Sequence, residues 1–418
     1  MPQLPTIDNC SACGACIDAC NHKAIRMEED INGFYNIVID SDKCIECKLC
    51  ETKCHILNQN NLIRHNPCQQ PLAGWSLREE IIKNSATGGI FAQIAYDMLS
   101  EGNTFVYGAS LQADSSVRHI EISRCEDIHK LQNSKYQQSV TTGIFKQVKS
   151  RLKEGYRVLF SGVPCQVAAL YAFLGKKTDL TNLYTIEVIC HGVPTNYLHR
   201  LGIRYNKAKR VVAYRTKQNS GWIGGRNNRV VYQMPDNSLK YMPDTSKDFL
   251  FSAYLSFSFS FSFSRKNCYI CKYSVLKRVS DITIGDFWGF EKSTDYARYG
   301  NFMGTSVILC NSEKGMNMVI NNVNLHTTPA KWEEILPFNQ NLYMPTNRYM
   351  FNGYDKVHKL IRLPEPIRQI VFMNGSTNKF LNKIYKLIYY RLSNGIRARK
   401  NREIQIKCNK ALECLKQK

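Results

Sequence analysis

Apolar residues recur with two different periods along the middle of the chain. Ile90, Ile94 and Met98 stand four apart, which predicts one buried face of a helix that ends near Gly102. Shorter apolar runs predict strands at 104–109, 117–122, 156–162, 183–194 and 281–284, with alternating strand structure within 207–242. Further helices are predicted at 126–132, 143–154 and 163–175. This alternation of strands and helices predicts an α/β domain with a mixed sheet.

One β-α-β unit within this pattern places two cysteines together. A strand at 156–162, a helix at 163–175 and a strand from 183 imply two parallel strands joined by a right-handed crossover. Cys165 follows the first strand and Cys190 lies at the end of the second. Both thiols are therefore expected at the carboxyl edge of the sheet, where α/β folds bind ligands.

A Ser/Thr/Gly loop, Ser85 to Gly89, comes just before the helix that starts at Ile90. A glycine-rich loop at a helix N-terminus exposes backbone N–H groups and suits a phosphate. A plain N-cap followed by close packing explains the same residues.

Eight cysteines near the N-terminus form two runs with identical spacing. Cys10, Cys13, Cys16 and Cys20 follow C-x2-C-x2-C-x3-C, and the run repeats at Cys44, Cys47, Cys50 and Cys54. This is the sequence form of a two-cluster bacterial ferredoxin, in which the fourth cysteine of each run ligates the other cluster. We therefore assign cluster one to Cys10, Cys13, Cys16 and Cys54, and cluster two to Cys44, Cys47, Cys50 and Cys20.

Other uses of these eight cysteines fit less well. Structural zinc sites usually use two C-x2-C pairs, and disulfides would require an exported chain, for which no signal peptide is visible. Proline usually follows the fourth cysteine, but here Asn21 and His55 stand in its place. This departure loosens the turn after each run and removes no ligand. The remaining isolated thiols are interpreted as ordinary ones, namely Cys68, Cys125, Cys310, Cys408 and Cys414.

Charge is unevenly spread over the 418 residues, whose net charge is +22. Residues 1–60 carry 5 Lys/Arg and 9 Asp/Glu, whereas the rest has a net charge of +26. An acidic head is thus expected to dock on a basic body, and the body to attract an acidic electron carrier such as ferredoxin. The sequence shows no nucleic-acid-binding module and no long apolar span. Oxygen-sensitive clusters suit a reducing cytoplasm, which is the expected location.

Two stretches have a clear pattern but no assigned chemistry. Ser256 to Ser264 alternate strictly with Phe, as in a strand with one buried face or a low-complexity insertion. Residues 376–418 carry 12 Lys/Arg against 2 Asp/Glu. The spacing of the apolar residues in this segment predicts an amphipathic helix. Its apolar face contains Phe380, Leu381, Ile384, Tyr385, Leu387 and Ile388. This basic segment either packs on the body, which we favour, or makes peripheral contact with an anionic membrane.

The head, the Ser/Thr/Gly loop, GVPCQ, CHGVP, CYIC and SDITIGDFWG occur in this order. With them the chain resembles the coenzyme F420 hydrogenase/dehydrogenase beta-subunit family, in particular bacterial members with an N-terminal two-cluster ferredoxin domain. The resemblance covers roughly residues 5–315. It implies an iron-sulfur flavoprotein with FAD in the α/β domain. The residues it implies for flavin binding are Ser85, Thr87, Gly88, Gly89, Lys135, Tyr136, Gln138, Ser139, Gly162 and Pro164.

Both lines of reasoning meet on a second group of thiols, Cys165, Cys190, Cys268 and Cys271. Four such thiols suit a third [4Fe-4S] cluster beside the flavin. A zinc site, a redox dithiol and a flavin-facing Cys165 acting alone are the alternatives. The family's usual approach to the C-x2-C pair is replaced here by the Phe/Ser run.

The predicted fold is an α+β ferredoxin-like two-cluster head, an α/β flavin-binding domain and a mostly helical basic C-terminus. The corresponding domains are a head at 1–60, a linker at 61–80, two halves of one domain at 81–200 and 201–330, and an extension at 331–418. The predicted function is an oxidoreductase that passes electrons between clusters, FAD and a substrate or carrier. The alternatives are an electron-transfer subunit that feeds a partner oxidoreductase subunit, and a cluster scaffold without flavin. Lys135, Tyr136 and His191 are the candidate proton donors.

Overall fold

The computed structural model describes residues 1–217, 221–222, 229–242, 263–293, 296–346 and 401–417, with single positions at 355, 359, 362 and 364. Two predictions fall mainly or wholly outside these residues. The first is the Phe/Ser strand, of which only Phe263 and Ser264 are described. The second is the amphipathic face from Phe380 to Ile388.

Fourteen strands are found in the described residues. They are β1 (Ile25–Glu29), β2 (Tyr35–Ile39), β3 (Leu72–Ser76), β4 (Thr104–Leu111), β5 (Val117–Ile122), β6 (Ser139–Val140), β7 (Arg157–Gly162), β8 (Leu183–Val188), β9 (Arg210–Thr216), β10 (Arg229–Gln233), β11 (Leu239–Tyr241), β12 (Ile282–Asp286), β13 (Ser306–Cys310) and β14 (Leu325–Pro329).

The α-helices of the same residues are α1 (Ala15–Ala19), α2 (Leu49–Thr52), α3 (Glu79–Lys83), α4 (Ile90–Ser100), α5 (Ile144–Lys153), α6 (Pro164–Leu174), α7 (Asn196–Tyr205), α8 (Tyr296–Tyr299), α9 (Glu313–Ile320), α10 (Trp332–Ile335) and α11 (401–416). Short 3-10 helices include Gln59–Asn61, Cys125–Lys130 and Lys266–Ile270. None of the helices in these parts of the chain is long and apolar enough to cross a bilayer.

The body is built on a mixed sheet of nine strands in the order β14-β3-β13-β12-β8-β7-β4-β5-β6. The central strands β12, β8, β7 and β4 pair in parallel, which confirms the predicted parallel pair within the β7-α6-β8 unit. A smaller antiparallel sheet contains β9, β10 and β11. The predicted mixed α/β class is therefore confirmed.

Helices cover both faces of the large sheet because its central strands are apolar on both sides. In β7, Leu159 packs into the core beneath α4, whereas Val158 and Phe160 pack beneath α5 and α6. All three side chains are fully buried. The predicted α4 face is also buried. Continuous apolar strands of this kind are typical of parallel sheets covered on both faces.

The segment 61–80, predicted to be a linker, contains a strand of the large sheet. Strand β3 pairs with β13 on one side and with β14 on the other. At Gly74 a β-carbon would approach the His326 carbonyl oxygen to 2.6 Å, so the close packing of β3 and β14 requires glycine there. Polar neighbours and a central glycine hide this strand in the sequence, since neither favours a strand.

The head consists of the β1–β2 hairpin with α1 and α2, and it packs against the body. Ala15 and Ala19 of α1 belong to the same apolar core as α5 and α6. At the other end of the chain, Cys408 and Ala411 of α11 are buried in a core with Trp332 and other residues of the body. The described part of the basic C-terminus therefore packs on the body.

Candidate functional site

The two cysteine loops of the head have the same backbone conformation. Ala12 and Gly14 in the first loop have positive φ angles of 49° and 77°, and Glu46 and Lys48 occupy the equivalent positions in the second with 55° and 57°. Left-handed residues bend the chain sharply, so each loop turns its cysteines towards one centre. The two runs of equal spacing therefore share the same pair of left-handed turns.

The first loop brings the thiols assigned to cluster one together. The thiols of Cys10 and Cys54 act electrostatically on Cys13 and Cys16. Burial raises the pKa of Cys13 to about 12 and that of Cys16 further. The Ala12 N–H also donates to the Cys10 sulfur at 3.3 Å. Thiols in such surroundings ionise readily only when a metal takes the place of the proton, so this set suits a cluster.

The thiols assigned to cluster two lie closer to solvent. Cys47 is exposed, Cys44 and Cys20 are half-buried, and Cys50 is buried. The Ala24 N–H donates to the Cys20 sulfur at 3.3 Å. Burial raises the pKa of Cys50, and the neighbouring charges of Glu51 and Cys47 act in the same direction. The second loop thus presents its ligands towards the surface of the protein.

Ion pairs and hydrogen bonds fix the head on the body. Lys266 pairs with Asp8 at 2.6 Å, and Arg200 pairs with Glu29 at 2.5 Å. Asp18 of α1 accepts hydrogen bonds from the N–H groups at the start of α5, at 2.6 Å from Gly143 and 3.1 Å from Phe145. The head therefore packs on the body, and the part that charge plays in this docking stays a prediction.

The four remaining candidate ligands, Cys165, Cys190, Cys268 and Cys271, line one small cavity of about 60 Å³. Cys165 begins α6 after β7, Cys190 follows β8, and the C-x2-C pair overlaps the Lys266–Ile270 helix. Burial raises the pKa of Cys190 to about 12, and that of Cys165 well above its ordinary value. Both sheet-edge cysteines therefore lie where the parallel strands predicted them.

Backbone N–H groups are directed at two of these four thiols. The N–H groups of Gly192 and Tyr273 donate to the sulfurs of Cys190 and Cys271, each at 3.4 Å. Such donors stabilise a thiolate that is bound either to a cluster iron or to zinc.

A buried ion pair that the sequence analysis missed lies beneath this cavity. Arg278 and Glu187 are 2.5 Å apart, with side chains 2% and 0% exposed. The Arg278 charge lowers the pKa of Cys190, although burial outweighs it. The sequence signal for this pair was Glu187, a charged residue within strand β8. An unpaired buried charge is too costly there, so a buried partner of opposite charge is expected.

A second cavity, of about 550 Å³, lies at the same edge of the sheet. Eight of the ten residues predicted to bind flavin line it, namely Ser85, Thr87, Gly89, Lys135, Tyr136, Gln138, Ser139 and Gly162. Pro164 lines the smaller cavity instead. Gly88 is outside the lining, because it packs against the Gly74 carbonyl and Ser306. The thiols of Cys13, Cys165 and Cys190 stand in the wall of the large cavity.

The Ser/Thr/Gly loop offers backbone groups rather than hydroxyl groups to this cavity. Ser85 donates its hydroxyl to the Ile81 carbonyl at 2.8 Å, and Thr87 donates to the Thr305 carbonyl at 3.1 Å. Among the described residues, no acceptor pairs with the N–H groups of residues 86–89. Gly89 has a φ of 79° and directly precedes α4. Such a run of unpaired N–H groups at a helix N-terminus suits an anion.

Buried polar atoms without partners mark the rest of the large cavity. They are Gln137 Oε1, Gln138 Oε1 and Arg215 Nη2, all in lining residues. Arg215 pairs with Asp286 at 2.8 Å beneath this wall. Neither Arg215 nor Asp286 was predicted as a site residue. These two acceptors and one donor in a buried wall suit hydrogen bonds with a polar ligand.

The candidate proton donors differ in their protonation. Burial lowers the pKa of His191 to about 4 and that of Lys135 to about 7, and it raises the pKa of Tyr136. Lys135 donates to the carbonyls of Leu131 and Gln132, at 2.8 and 2.5 Å. At neutral pH a neutral imidazole, a neutral phenol and a partly neutral amine therefore face the same cavity.

The fold and the two groups of thiols define an iron-sulfur electron-transfer protein of the mixed α/β class. Residues 155–330 match the family model for the C terminus of the coenzyme F420 hydrogenase/dehydrogenase beta subunit, and residues 9–56 match the 4Fe-4S dicluster domain. These matches confirm the family resemblance that the motifs indicated over these two ranges, with a dicluster domain preceding a region similar to this oxidoreductase beta subunit.

One similar solved structure is the F420-reducing [NiFe] hydrogenase complex from Methanosarcina barkeri. A chain of that complex is 17% identical, with 72% of this chain and 92% of that chain covered and a TM-score of 0.42. No curated protein matches the sequence.

Proposed function

We propose that the protein is an iron-sulfur flavoprotein oxidoreductase that passes electrons between its clusters, FAD and a substrate or carrier. The main support for this proposal is that residues of two candidate cluster sites line the large cavity. Cys13 of the head and Cys165 of the sheet edge line the same cavity as the Ser85–Gly89 loop. Thiols of two candidate cluster sites therefore face the space where a flavin is expected.

The large cavity has the groups that FAD requires. The unpaired N–H groups of residues 86–89 and the N-terminus of α4 suit the pyrophosphate. The orphaned oxygens of Gln137 and Gln138 accept hydrogen bonds from a ring system. The apolar share of the lining suits its faces. When bound, FAD supplies the exchange between one-electron and two-electron chemistry. The protein excludes water from the site and fixes the orientation of the ligand.

We further propose that Cys165, Cys190, Cys268 and Cys271 hold a third [4Fe-4S] cluster. Their N–H to sulfur hydrogen bonds support a set of thiolates. Arg265, Lys272 and Arg278 line the cavity with them and offset negative charge. Zinc remains the competing occupant, and the metal content distinguishes the two.

The exposed second loop is the proposed contact for the external electron carrier. Cys47 is exposed, and two large apolar neighbours, Ile45 and Leu49, are 61% and 37% exposed. Exposed apolar side chains beside a redox centre suit transient docking of a ferredoxin or of a partner oxidoreductase subunit. Electrons exchanged here reach the cavity through cluster one.

Anaerobic turnover tests the proposal. The purified chain is mixed with chemically reduced ferredoxin and a panel of acceptors, and consumption is followed together with flavin absorbance. Flavin bands and turnover by the isolated chain are expected. Flavin bands without turnover would identify the relay subunit instead, and cluster absorbance without flavin would identify the scaffold.

A further inference from the structure

We propose that Arg215 is the charged member of a phosphate-binding site in the large cavity, beside the unpaired N–H groups of residues 86–89. The inference rests on the proposed function, in which FAD occupies this cavity, and it names the side chain that binds the pyrophosphate. The loop itself supplies only neutral donors, because residues 86–89 are Ala, Thr, Gly and Gly. A diphosphate is negatively charged at neutral pH, so an arginine completes such a site.

The guanidinium of Arg215 is buried and has one nitrogen without a partner. Arg215 lies near the end of β9, lines the large cavity and is 5% exposed. Its Nη1 donates to the Asp286 carboxylate at 2.8 Å, whereas its Nη2 has no hydrogen-bond partner among the described residues. Leaving a donor of a buried cation unpaired is costly, so a ligand that accepts from Nη2 is expected.

The second cationic side chain in the wall of the large cavity is already bonded. Lys135 donates to two backbone carbonyls, at 2.8 and 2.5 Å. Burial also lowers its pKa to about 7, so this amine is only partly charged at neutral pH. An arginine keeps its charge throughout this range. Arg215 is therefore the better partner for a phosphate in this wall.

Strand β9 reaches the Ser85–Gly89 loop directly. Lys217, two residues after Arg215, donates to the Thr87 carbonyl at 2.7 Å. Arg215 and Lys217 are 5% and 1% exposed, and the residue between them is half-buried. This alternation is typical of two side chains on the same side of an extended segment. The Arg215 side chain therefore lies on the side of β9 that contacts the loop.

The partner of Arg215 lies next to the same loop. Asp286 pairs with Ser306 across strands β12 and β13. A β-carbon at Gly88 would come within 2.8 Å of the Ser306 hydroxyl, so the loop packs closely on this pair of strands. Asp286 is therefore a positioning residue, because its carboxylate holds the guanidinium beside the loop and leaves Nη2 for the ligand.

The test compares FAD with riboflavin, which has no phosphate, on the full-length chain with its clusters in place and its bound flavin removed. Binding is measured anaerobically by the quenching of flavin fluorescence. Arg215→Gln should weaken FAD binding by about tenfold to a hundredfold, as expected for the loss of a charge-assisted hydrogen bond to phosphate. Riboflavin binding should not change. Equal weakening of both ligands, or unchanged binding of FAD, would overturn the proposal.

Arg210→Gln is the matched control on the same strand, because Arg210 donates to Gln233 at 2.7 Å and lies outside the cavity wall. It should leave both affinities unchanged. Arg215→Gln leaves the largely buried Asp286 carboxylate without its cation. The double variant Arg215→Gln/Asp286→Asn removes both charges and should lose FAD affinity with the same selectivity. A double variant that binds FAD as the wild type does, or that also loses riboflavin, would contradict the assigned role.

Inorganic pyrophosphate separates the phosphate site from the proposed function. It should raise the unfolding temperature of the flavin-free wild type and of Arg210→Gln, and it should protect Arg215→Gln much less. A chain that pyrophosphate stabilises in this pattern but that binds no FAD would refute the flavoprotein and support the phosphate site. Equal protection of the wild type and Arg215→Gln would overturn the role of Arg215, whether or not flavin binds.

Discussion

The two cysteine loops of the head share spacing and backbone but differ in their surroundings. Ser11 follows the first cysteine of its run and is buried, whereas its counterpart Ile45 is 61% exposed. Asp18 follows the third cysteine by two residues and caps α5. Its counterpart Thr52 is exposed, and its hydroxyl donates to the Leu49 carbonyl of its own helix at 2.8 Å. The cysteines define two similar clusters, and the residues between them give each cluster a different role.

Under the proposed function, this comparison assigns the two loops to opposite ends of one electron path. The second loop faces solvent and suits exchange with a carrier. The first loop faces the body, with Cys13 in the wall of the large cavity. The two environments place one loop at the surface and the other at the cavity. The first three predictions below compare the two loops, and the fourth concerns the contact between head and body.

The largest effect is expected from removing one ligand of each loop. Cys13→Ala should abolish reduction of the bound flavin by an external one-electron donor, because cluster one is the link to the cavity. Cys47→Ala should slow that reduction and leave cluster one intact. Stopped-flow absorbance at the flavin bands, with iron assays, measures both. Equal rates of flavin reduction in the two variants would contradict the placement of cluster one on the cavity side and cluster two on the surface side.

A smaller effect is expected on stability. Asp18→Ala should lower the free energy of unfolding by about 2–4 kcal/mol, because the half-buried N–H of Gly143 and the buried N–H of Phe145 at the start of α5 lose their acceptor. Burial raises the pKa of Asp18 despite these donors, so the contribution of the carboxylate is to satisfy them. The matched Thr52→Ala should change stability by less than about 0.5 kcal/mol. Denaturant unfolding of both variants measures the difference, and similar losses would refute the cap.

The two clusters should also differ in their resistance to oxidation. Cys47 and Ile45 are exposed, whereas Cys16 is buried. Titration with ferricyanide should therefore bleach cluster two in a faster phase and cluster one in a slower phase, followed by absorbance and paramagnetic resonance. A single phase, or faster loss of the cluster that Cys13→Ala removes, would be the contrary result.

The smallest effect is expected at the edge of the contact between head and body. Asp8→Asn breaks the ion pair with Lys266, in which the Asp8 side chain is 43% exposed. Partly exposed pairs contribute little, so the loss should be below about 1 kcal/mol and should vanish in high salt. Thermal unfolding at two salt concentrations checks it. A loss well above about 1 kcal/mol at low salt that salt reduces would mean that charge, rather than packing, holds the head.

Much of this architecture was predictable from local patterns. The β7-α6-β8 unit and the α4 face follow from apolar periodicity, and the head loops follow from cysteine spacing. Strand β3 was not predictable, since a short segment with a central glycine has no period. The role of Gly88 also depends on distant partners, Gly74 and Ser306.

The candidate site was predicted only in part for a related reason. Family motifs indicated the residues that line the large cavity, but Arg215, Asp286 and the Arg278–Glu187 pair acquire meaning from contacts across the sheet. His55 was noticed only because it replaces a proline, and its contact with Tyr273, 218 residues away along the chain, could not be predicted from the sequence. Long-range hydrogen bonds of this kind leave no period in a sequence.

The iron, sulfide and flavin content of the anaerobically purified chain tests the central claim most directly. We predict one FAD and about twelve irons per chain, four for each of three clusters, with matching sulfide. About eight irons would contradict the third cluster, and a chain without flavin would contradict the proposed function.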